Sequence, residues 1–231
     1  MAGNQKQGTA YLLFGCRSPL VVDYEESLLR NGDLHAASGS LCDTPRVLDH
    51  SKVVAIESMA ASTLLSDRDA LGFITCAFSS ERRRELSAMA LSLGLRAAPA
   101  LVDTTAVLPR SIRLGHGSFI NAAAVIGGAT LIGSHTLVNR AVSIGHHCMI
   151  GDFVSIAPGV TLTSNVKVGD GATIGAGAVV VPNITIGDGA VIGAGSLIRT
   201  DIAAGEFWAG NPAKQRELNI NQSALNTAGE E

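Results

Sequence analysis

Residues 141–154 read AVSIGHHCMIGDFV, and in this stretch Ile144 and Ile150 stand six residues apart. The same spacing runs through the second half of the chain, where sixteen consecutive positions of this register are aliphatic. A repeat of six matches neither the helical nor the strand period. It predicts a parallel β-helix, in which short strands stack in coils around a continuous aliphatic core. The positions are Leu108, Leu114, Ile120, Ile126, Ile132, Val138, Ile144, Ile150, Ile156, Leu162, Val168, Ile174, Val180, Ile186, Ile192 and Ile198.

The corners of the predicted coils have a recognisable residue type. Three positions after the aliphatic residue, glycine or asparagine is frequent, and both tolerate a positive φ. That slot is therefore predicted to hold a left-handed turn, and sixteen aliphatic positions at three per coil give about five coils. The residues are Gly117, Gly159, Asn165, Gly171, Gly177, Asn183, Gly189 and Gly195.

The first hundred residues have a different pattern. Two short apolar runs, TAYLLFG at 9–15 and LGFITCAF at 71–78, are typical of buried strands. Each is followed by a helical pattern, and the stretch between them, 36–63, is predicted as strand and loop. Strand alternating with helix indicates a small α/β domain with a parallel sheet.

Local signals place the ends of the two helices. Ser18 is the predicted N-cap of the first, with proline next to it, and Gly32 ends it. Residues 79–95 form an amphipathic helix that begins with three arginines, and these are predicted to form a solvated face. They are Arg82, Arg83 and Arg84.

Composition excludes several classes of function. The net charge is −3 with 16% charged residues, so no basic face for nucleic acid or anionic lipid is expected. No apolar run approaches the roughly 20 residues of a membrane span, and the start, MAGNQKQGTA, lacks the pattern of a signal peptide. The cysteines lack metal-ligand spacing, which suits reduced thiols in the cytoplasm. They are Cys16, Cys42, Cys76 and Cys148.

The repeat resembles the left-handed β-helix of hexapeptide-repeat acyltransferases, which are typically homotrimers using acetyl-CoA. With the α/β domain in front, residues 10 to 216 resemble the sugar O- and N-acetyltransferases of the bacillosamine and sialic-acid branch. The resemblance is carried by residues 137–198, which match the family nearly coil for coil, and by AGNPAK at 209–214. It implies a Rossmann-like acceptor-binding domain at 1–101, a left-handed parallel β-helix acyltransferase domain at 102–216 and a flexible tail at 217–231.

Two adjacent histidines, His146 and His147, occupy a predicted corner outside the aliphatic core. His146 falls where the family carries its catalytic histidine, which implies a general base that takes a proton from the acceptor. A solvated corner or a subunit contact is the alternative. At His147 the family usually has Asp or Glu, so this residue is a relay, a substituted orienting partner or simply a corner residue.

The resemblance also implies an acceptor site. Asn139 matches a position that shapes that site in the family, although a corner asparagine with no further role is an alternative. The family's first loop is glycine-rich, whereas here it reads FGCRSPL and keeps Gly15 alone. Arg17 could contact a phosphate with Ser18 beside it, or could be solvated.

For the acyl donor, the family pattern falls on Ser155, Ala176 and Ala194. Relatives commonly have histidine at the first of these positions. The two alanines would let the backbone accept the pantetheine arm, or could reflect close stacking alone. Lys214 could meet a CoA phosphate, or be a solvated surface lysine.

These observations predict a cytoplasmic, acetyl-CoA-dependent acetyltransferase acting on a nucleotide-linked amino sugar in surface-polysaccharide biosynthesis. No metal is expected, and a homotrimer is predicted because a smooth prism has no cleft. One alternative is a non-catalytic scaffold that has kept the fold. Another is a trimeric zinc enzyme of the carbonic-anhydrase type, for which His116, His135 and His146 lack the expected ligand spacing.

Overall fold

The computed structural model describes residues 10–15, 18–32, 35–40, 53–55 and 71–217. Its first part is a five-stranded parallel sheet with strand order β3-β2-β1-β4-β5. The predicted parallel sheet is therefore confirmed. The strands are β1 (Ala10–Phe14), β2 (His35–Ser40), β3 (Val53–Ala55), β4 (Leu71–Thr75) and β5 (Arg96–Ala97).

Two helices accompany this sheet, α1 (Val21–Asn31) and α2 (Ser80–Ser92). Helix α1 begins later than predicted, because Ser18 opens a turn in which its hydroxyl accepts from the Leu20 N–H at 3.3 Å. It ends at Gly32 as predicted, with a left-handed φ of 69°. Helix α2 is capped by the Ser79 side chain, which accepts from the Arg82 N–H.

The second part is the predicted parallel β-helix, with three faces. Face 1 has five strands, β7-β10-β13-β16-β19, and face 2 has five, β9-β12-β15-β18-β21. Face 3 runs β6-β8-β11-β14-β17-β20-β22, with β23 added antiparallel to β22. The strands are β6 (Leu101–Val102), β7 (Arg113–Leu114), β8 (Phe119–Ile120), β9 (Val125–Ile126), β10 (Leu131–Ile132), β11 (Leu137–Val138), β12 (Ser143–Ile144), β13 (Met149–Ile150), β14 (Ser155–Ile156), β15 (Thr161–Leu162), β16 (Lys167–Val168), β17 (Thr173–Ile174), β18 (Val179–Val180), β19 (Thr185–Ile186), β20 (Val191–Ile192), β21 (Leu197–Ile198), β22 (Phe207–Gly210) and β23 (Ala213–Arg216).

The aliphatic repeat forms one core along the axis of the coils. Ile120 through Ile198 of the repeat are buried, and Leu108 and Leu114 pack against the core from its first coil. The small or branched residue two positions before each aliphatic residue is buried as well, from Ala124 to Ala178. Because these side chains stack on copies of themselves, each coil removes its neighbours' apolar surface from water.

Turns join the faces along three edges, and we name each edge after its residues. The alanine edge joins faces 3 and 2 and includes 122–123, 140–141, 158–159, 176–177 and 194–195. The histidine edge joins faces 2 and 1 and includes 128–129, 146–147, 164–165 and 182–183. The aspartate edge joins faces 1 and 3 and includes 116–117, 134–135, 152–153, 170–171 and 188–189.

The second residue of nearly every turn has a positive φ, as the glycines and asparagines predicted. The same slot also accepts residues that rarely adopt this conformation. His135, His147 and Phe153 have φ values of 54°, 57° and 57°. The left-handed backbone conformation costs a bulky residue about 1–2 kcal/mol. The stacked coils therefore hold the backbone of these three residues in an unfavourable conformation.

The α/β part covers the N-terminal strands of face 3. The outward side chains of β6, β8 and β11 are fully buried, and they share a cluster with residues of β1 and α1. Tyr24 of α1 lies with its ring centroid 4.0 Å from that of Phe119, and burial raises the pKa of its hydroxyl. The buried outward residues are Leu101, Phe119 and Leu137.

The prediction that the arginine cluster is a solvated face is wrong for Arg83. Its side chain is 1% exposed, and burial lowers its pKa to about 10. The guanidinium donates to six acceptors: the carbonyl oxygens of Ala77, Phe78, His135, Phe153 and Val154, and Ser155 Oγ. Arg83 therefore joins α2 to two coils of the β-helix. Arg84 places its guanidinium carbon 4.3 Å from the centre of the Phe153 ring, and Arg82 pairs at the surface with Glu85.

A second polar junction ties α1 to the first coil. The buried carboxylate of Asp103 accepts from Arg30, Ser27 and Thr105. Burial alone raises the pKa of a carboxyl group, but these hydrogen bonds hold the pKa of Asp103 well below its usual range.

The division of the chain at residue 101 stays a prediction. Of the tail at 217–231, only Glu217 is described, and the rest lies outside the described residues. Likewise most of the stretch 36–63 lies outside them, apart from parts of β2 and β3. No helix among the described residues is long and apolar enough to cross a membrane.

Candidate functional site

The histidine edge carries two side chains suited to acid–base chemistry, His146 and His147. His146 and His147 are both exposed, and their rings meet at 89° with Nδ1 of one 2.9 Å from Nδ1 of the other. The backbone of His147 has a positive φ of 57°. On its other side, His146 Nε2 lies 2.9 Å from Ser164 Oγ, which is 18 residues further along the chain. The imidazole is therefore held at both nitrogens.

The contact between the two Nδ1 atoms contains a single proton. If His146 carries it, its Nε2 is free to accept a proton, and His147 has its proton on Nε2. If His147 carries it, the Nε2 of His146 is protonated and cannot act as a base. In the first arrangement His147 fixes the tautomer of His146, which is the role a carboxylate commonly has beside a catalytic histidine.

Asn139 lies at the start of the alanine edge, in a polar chain that reaches α1. It is buried, and its Oδ1 accepts from Asn121 Nδ2 at 3.0 Å and from the Arg140 N–H at 2.8 Å. Asn121 Nδ2 also donates to Asp23 in the first turn of α1, and the same carboxylate pairs with Arg140 at 2.8 Å. The structure thus brings Asn139 to the start of α1, where the predicted acceptor loop ends.

The predicted acceptor loop is only partly described. Gly15 has a φ of 91°, a backbone conformation that favours glycine, and a Cβ there would stand 2.6 Å from the end of the Leu86 side chain of α2. Ser18 is 6% exposed, and its hydroxyl is engaged by the Leu20 N–H. Arg17 lies outside the described residues.

Ser155 is not placed to contact a cofactor. It is fully buried on face 3 beneath α2, where its hydroxyl donates to the Phe78 carbonyl and accepts from Arg83. The expectation that it contacts CoA is corrected, because its polar atom is already bound inside the chain. Its position instead belongs to the Arg83 junction.

The other residues predicted to bind the acyl donor lie on the exposed surface. Ala176 and Ala194 stand in successive coils of the alanine edge, and the Gly195 N–H donates to the Ala176 carbonyl at 2.8 Å. Lys214 is exposed on β23 beside Ala209. Within one chain, these residues are therefore on a different edge from His146.

The three histidines of the zinc alternative are not brought together. His146 is on the histidine edge, whereas His116 and His135 are on the aspartate edge. The His135 ring is stacked between Phe73 and Phe153, and burial lowers its pKa, as does neighbouring Arg83. In the part of the chain that the structure describes, no group of three or more histidine, cysteine, aspartate or glutamate side chains could hold a metal.

Apolar side chains are exposed on both faces beside the histidine edge. On face 2, Val125 is 49% exposed, and on face 1, Leu131 and Met149 are 38% and 51% exposed. Met149 also lines a cavity of about 320 Å³ on face 1, together with Lys167. Exposed apolar patches of this kind are typical of contacts with another chain.

Family models match the coils that contain this site. The model described as "Hexapeptide repeat of succinyl-transferase" matches residues 141–180, and "Bacterial transferase hexapeptide (six repeats)" matches residues 165–200. The chain carries the hexapeptide repeats of bacterial transferases. Among curated proteins, none matches the chain significantly.

Solved structures match the chain over nearly its whole length. The acetyltransferase domain of PglB from Neisseria gonorrhoeae, in complex with acetyl coenzyme A, is 27% identical with a TM-score of 0.78, covering 90% of this chain and 100% of its own. A histidine-to-asparagine mutant of perosamine N-acetyltransferase from Caulobacter crescentus, in complex with CoA and GDP-perosamine, is 26% identical with a TM-score of 0.80, covering 94% and 100%. WeeI from Acinetobacter baumannii, at 24% identity and a TM-score of 0.75, covers 90% of this chain and 99% of its own and supports the fold.

These matches confirm the predicted fold class, the predicted resemblance to hexapeptide-repeat sugar acetyltransferases and the predicted enzyme class. Two residues at the site were not identified from the sequence. Ser164 could have been found by adding one coil of 18 residues to His146. No sequence pattern pointed to Asp23, because its contacts depend on how α1 packs against the β-helix.

Proposed function

We propose that the chain transfers an acetyl group from acetyl-CoA to an amino or hydroxyl group of a nucleotide-linked sugar, with His146 as the general base. The observation that carries this proposal is the exposed imidazole held at both nitrogens on the histidine edge. The relatives support the substrate classes, because PglB was solved with acetyl coenzyme A and perosamine N-acetyltransferase with CoA and GDP-perosamine.

The proposed chemistry is direct transfer. The acceptor attacks the thioester carbon and loses a proton to His146, and the proton then reaches the departing thiolate. The negative charge that develops on the carbonyl oxygen requires a hydrogen-bond donor. The backbone N–H of Ser164 is a candidate, because it donates to no residue in the described part of the chain.

His147 takes the place of the acid that flanks the base in the family. Its Nδ1 accepts the Nδ1 proton of His146, which leaves the Nε2 lone pair of His146 for catalysis. Neutral imidazole is a weaker acceptor than carboxylate, so it orients the base without the full electrostatic support of a negative charge. We therefore assign His147 as a positioning residue.

The active unit in this proposal is a homotrimer. Within one chain, His146 is on the histidine edge, whereas the donor residues Ala176 and Ala194 are on the alanine edge. A neighbouring copy that faces its alanine edge toward this histidine edge would complete the site. The exposed apolar residues on both sides of the histidine edge fit such a contact.

The remaining assignments follow from this arrangement. Asn139, linked through Asn121 to α1, belongs to the acceptor side, with Gly15, Arg17 and Ser18 shaping the loop before α1. Lys214, at the end of the β-helix that carries Ala194, meets a CoA phosphate. Cys148 is a buried cysteine outside any disulfide, which fits a reduced cytoplasmic location.

The proposal is tested by incubating the purified protein with acetyl-CoA and a panel of nucleotide amino sugars, GDP-perosamine first, while free thiol is measured. Turnover with at least one acceptor is expected, with the acetylated sugar identified by mass. His146→Ala should lower kcat by about 10²- to 10⁴-fold. Full activity of that variant would contradict the role of His146, and a chain inactive with every acceptor would favour the scaffold alternative.

A further inference from the structure

The Ser164 hydroxyl has no role in the function proposed so far, although it is the polar atom nearest the catalytic nitrogen. Its oxygen is 2.9 Å from His146 Nε2, on the side of the ring opposite His147. A hydroxyl has one proton to donate and two lone pairs to accept with. When it donates to Nε2, it still has an acceptor site open toward solvent.

In the tautomer that the proposed function gives to His146, Nε2 has one lone pair, and the Ser164 hydroxyl lies 2.9 Å from it. An acceptor whose proton must reach that lone pair has two routes: displace the hydroxyl, or pass the proton through it. Displacement requires the hydroxyl or the ring to move, and Nδ1 of the ring is held by His147. Passage through the hydroxyl requires no movement of either side chain.

Hydrogen bonds to the neighbouring coils hold the backbone around Ser164. The Asn165 N–H donates to the His146 carbonyl at 3.0 Å, and the Ser164 carbonyl accepts from the Asn183 N–H at 3.1 Å. A Cβ on Gly145 would stand 2.7 Å from the Ser164 nitrogen, so the two coils are in close contact here. The backbone segments that carry the hydroxyl and the imidazole are therefore held together by consecutive coils.

We infer that Ser164 is a proton-transferring residue of the acetyl transfer, an inference that rests on the proposed function. As the acceptor nitrogen or oxygen attacks the thioester carbon, its proton moves to Ser164 Oγ, and the Ser164 proton moves to His146 Nε2. The carbon–sulfur bond then breaks, and the thiolate takes one proton back through the same pair. The products are the acetylated acceptor and CoA, and serine and histidine end as they began.

The test compares three serine variants, with acetyl-CoA and GDP-perosamine as substrates. Ser164→Ala should lower kcat about 10- to 100-fold while KM for acetyl-CoA changes less than about twofold. Ser164→Thr keeps the hydroxyl and should recover most of the rate. Ser92→Ala is the matched control, because that exposed hydroxyl bonds only to the Met89 carbonyl of its own helix; its kcat should equal that of the wild type.

A proton inventory in mixed H₂O and D₂O separates proton transfer from a structural effect. The wild-type rate should curve with the D₂O fraction, because two protons move together, and the Ser164→Ala rate should be linear. Acetyl-CoA hydrolysis by water, measured in the same variants, gives a second readout if GDP-perosamine is not turned over. It should show the same loss.

Three outcomes would overturn the inference. One is a Ser164→Ala enzyme with wild-type kcat, another is a linear inventory in the wild type, and a third is an acetyl adduct on Ser164. If Ser164→Ala is fully active while His146→Ala is inactive, the proposed function stands and only this inference fails. If both variants are fully active, the proposed function fails as well.

Discussion

In the proposed mechanism, two neighbouring histidines with different backbone conformations have different tasks. His146 has an ordinary corner conformation and presents its Nε2 outward to Ser164, whereas His147 has a φ of 57° and turns Nδ1 toward its neighbour. That left-handed conformation is unfavourable, and the hydrogen bonds to the coils above and below maintain it. In the proposed mechanism, the corner histidine at 147 orients the one at 146.

Replacing His147 should therefore reduce catalysis without removing it. His147→Ala leaves the Nδ1 of His146 without its partner, so the productive tautomer is no longer selected, and kcat should fall about 10- to 100-fold. His147→Asp restores an acceptor and should retain more activity than the alanine variant. Steady-state kinetics checks this, and an alanine variant with the activity of the wild type would contradict the orienting role.

His135 makes the folded state sensitive to acid. Burial and Arg83 lower its pKa, whereas Asp152 opposes this shift, and its Nδ1 has no hydrogen-bond partner among the described residues. The unfolded chain titrates near about 6.5, so below that pH it binds a proton that the folded chain does not, and stability falls. His135→Phe should flatten the loss of melting temperature between about pH 6.5 and pH 5; an unchanged slope would contradict this source of acid sensitivity.

At the level of elements, the junction of α2 with face 3 depends on one side chain. Arg83→Leu leaves several buried carbonyl oxygens without a donor and should lower the free energy of unfolding by about 3 kcal/mol or more. The adjacent Arg82→Ala is the control, because its exposed pair with Glu85 contributes little, and it should change stability by less than about 0.5 kcal/mol. Equal effects in chemical denaturation would contradict the assignment.

The junction of α1 with the first coil also weakens in acid, in this case through a carboxylate. The lowered pKa of Asp103 means that its hydrogen bonds stabilise the fold fully above about pH 4, and that this contribution is lost as the pH falls further. Asp103→Asn should destabilise the protein by about 1–3 kcal/mol at pH 7, with a smaller difference at pH 3. A difference that grows toward pH 3 would contradict this sign.

The sequence predicted the elements better than their contacts. A six-residue repeat specifies which residues point inward, so the core and the corner slots followed from spacing alone. Arg83 shares a helix face with Leu86, Ser87 and Ala90, all buried, so its burial was signalled by position and hidden by its charge. Ser155 was assigned to a ligand because the repeat cannot show that α2 covers its face.

At the scale of the whole molecule, the proposed site is shared between the histidine edge of one subunit and the alanine edge of the next, so assembly and activity should fail together. Met149→Glu places a charge on the exposed apolar surface beside the histidine edge and should convert a trimer to a monomer with little transfer activity. Leu91→Glu is the control, because that exposed leucine is on α2, and it should remain an active trimer. Sedimentation and thiol release check both, and a fully active monomer would contradict the shared site.

The most direct test of the account is a structure of the assembled protein with CoA and an unreacted nucleotide sugar bound. We predict that the sulfur and the acceptor's nucleophilic atom meet at the histidine edge of one subunit, opposite the alanine edge of the next. The nucleophile should lie within about 2.6–3.2 Å of Ser164 Oγ or His146 Nε2. A structure in which the two reacting atoms meet elsewhere, with the His146 ring facing bulk solvent, would contradict the account.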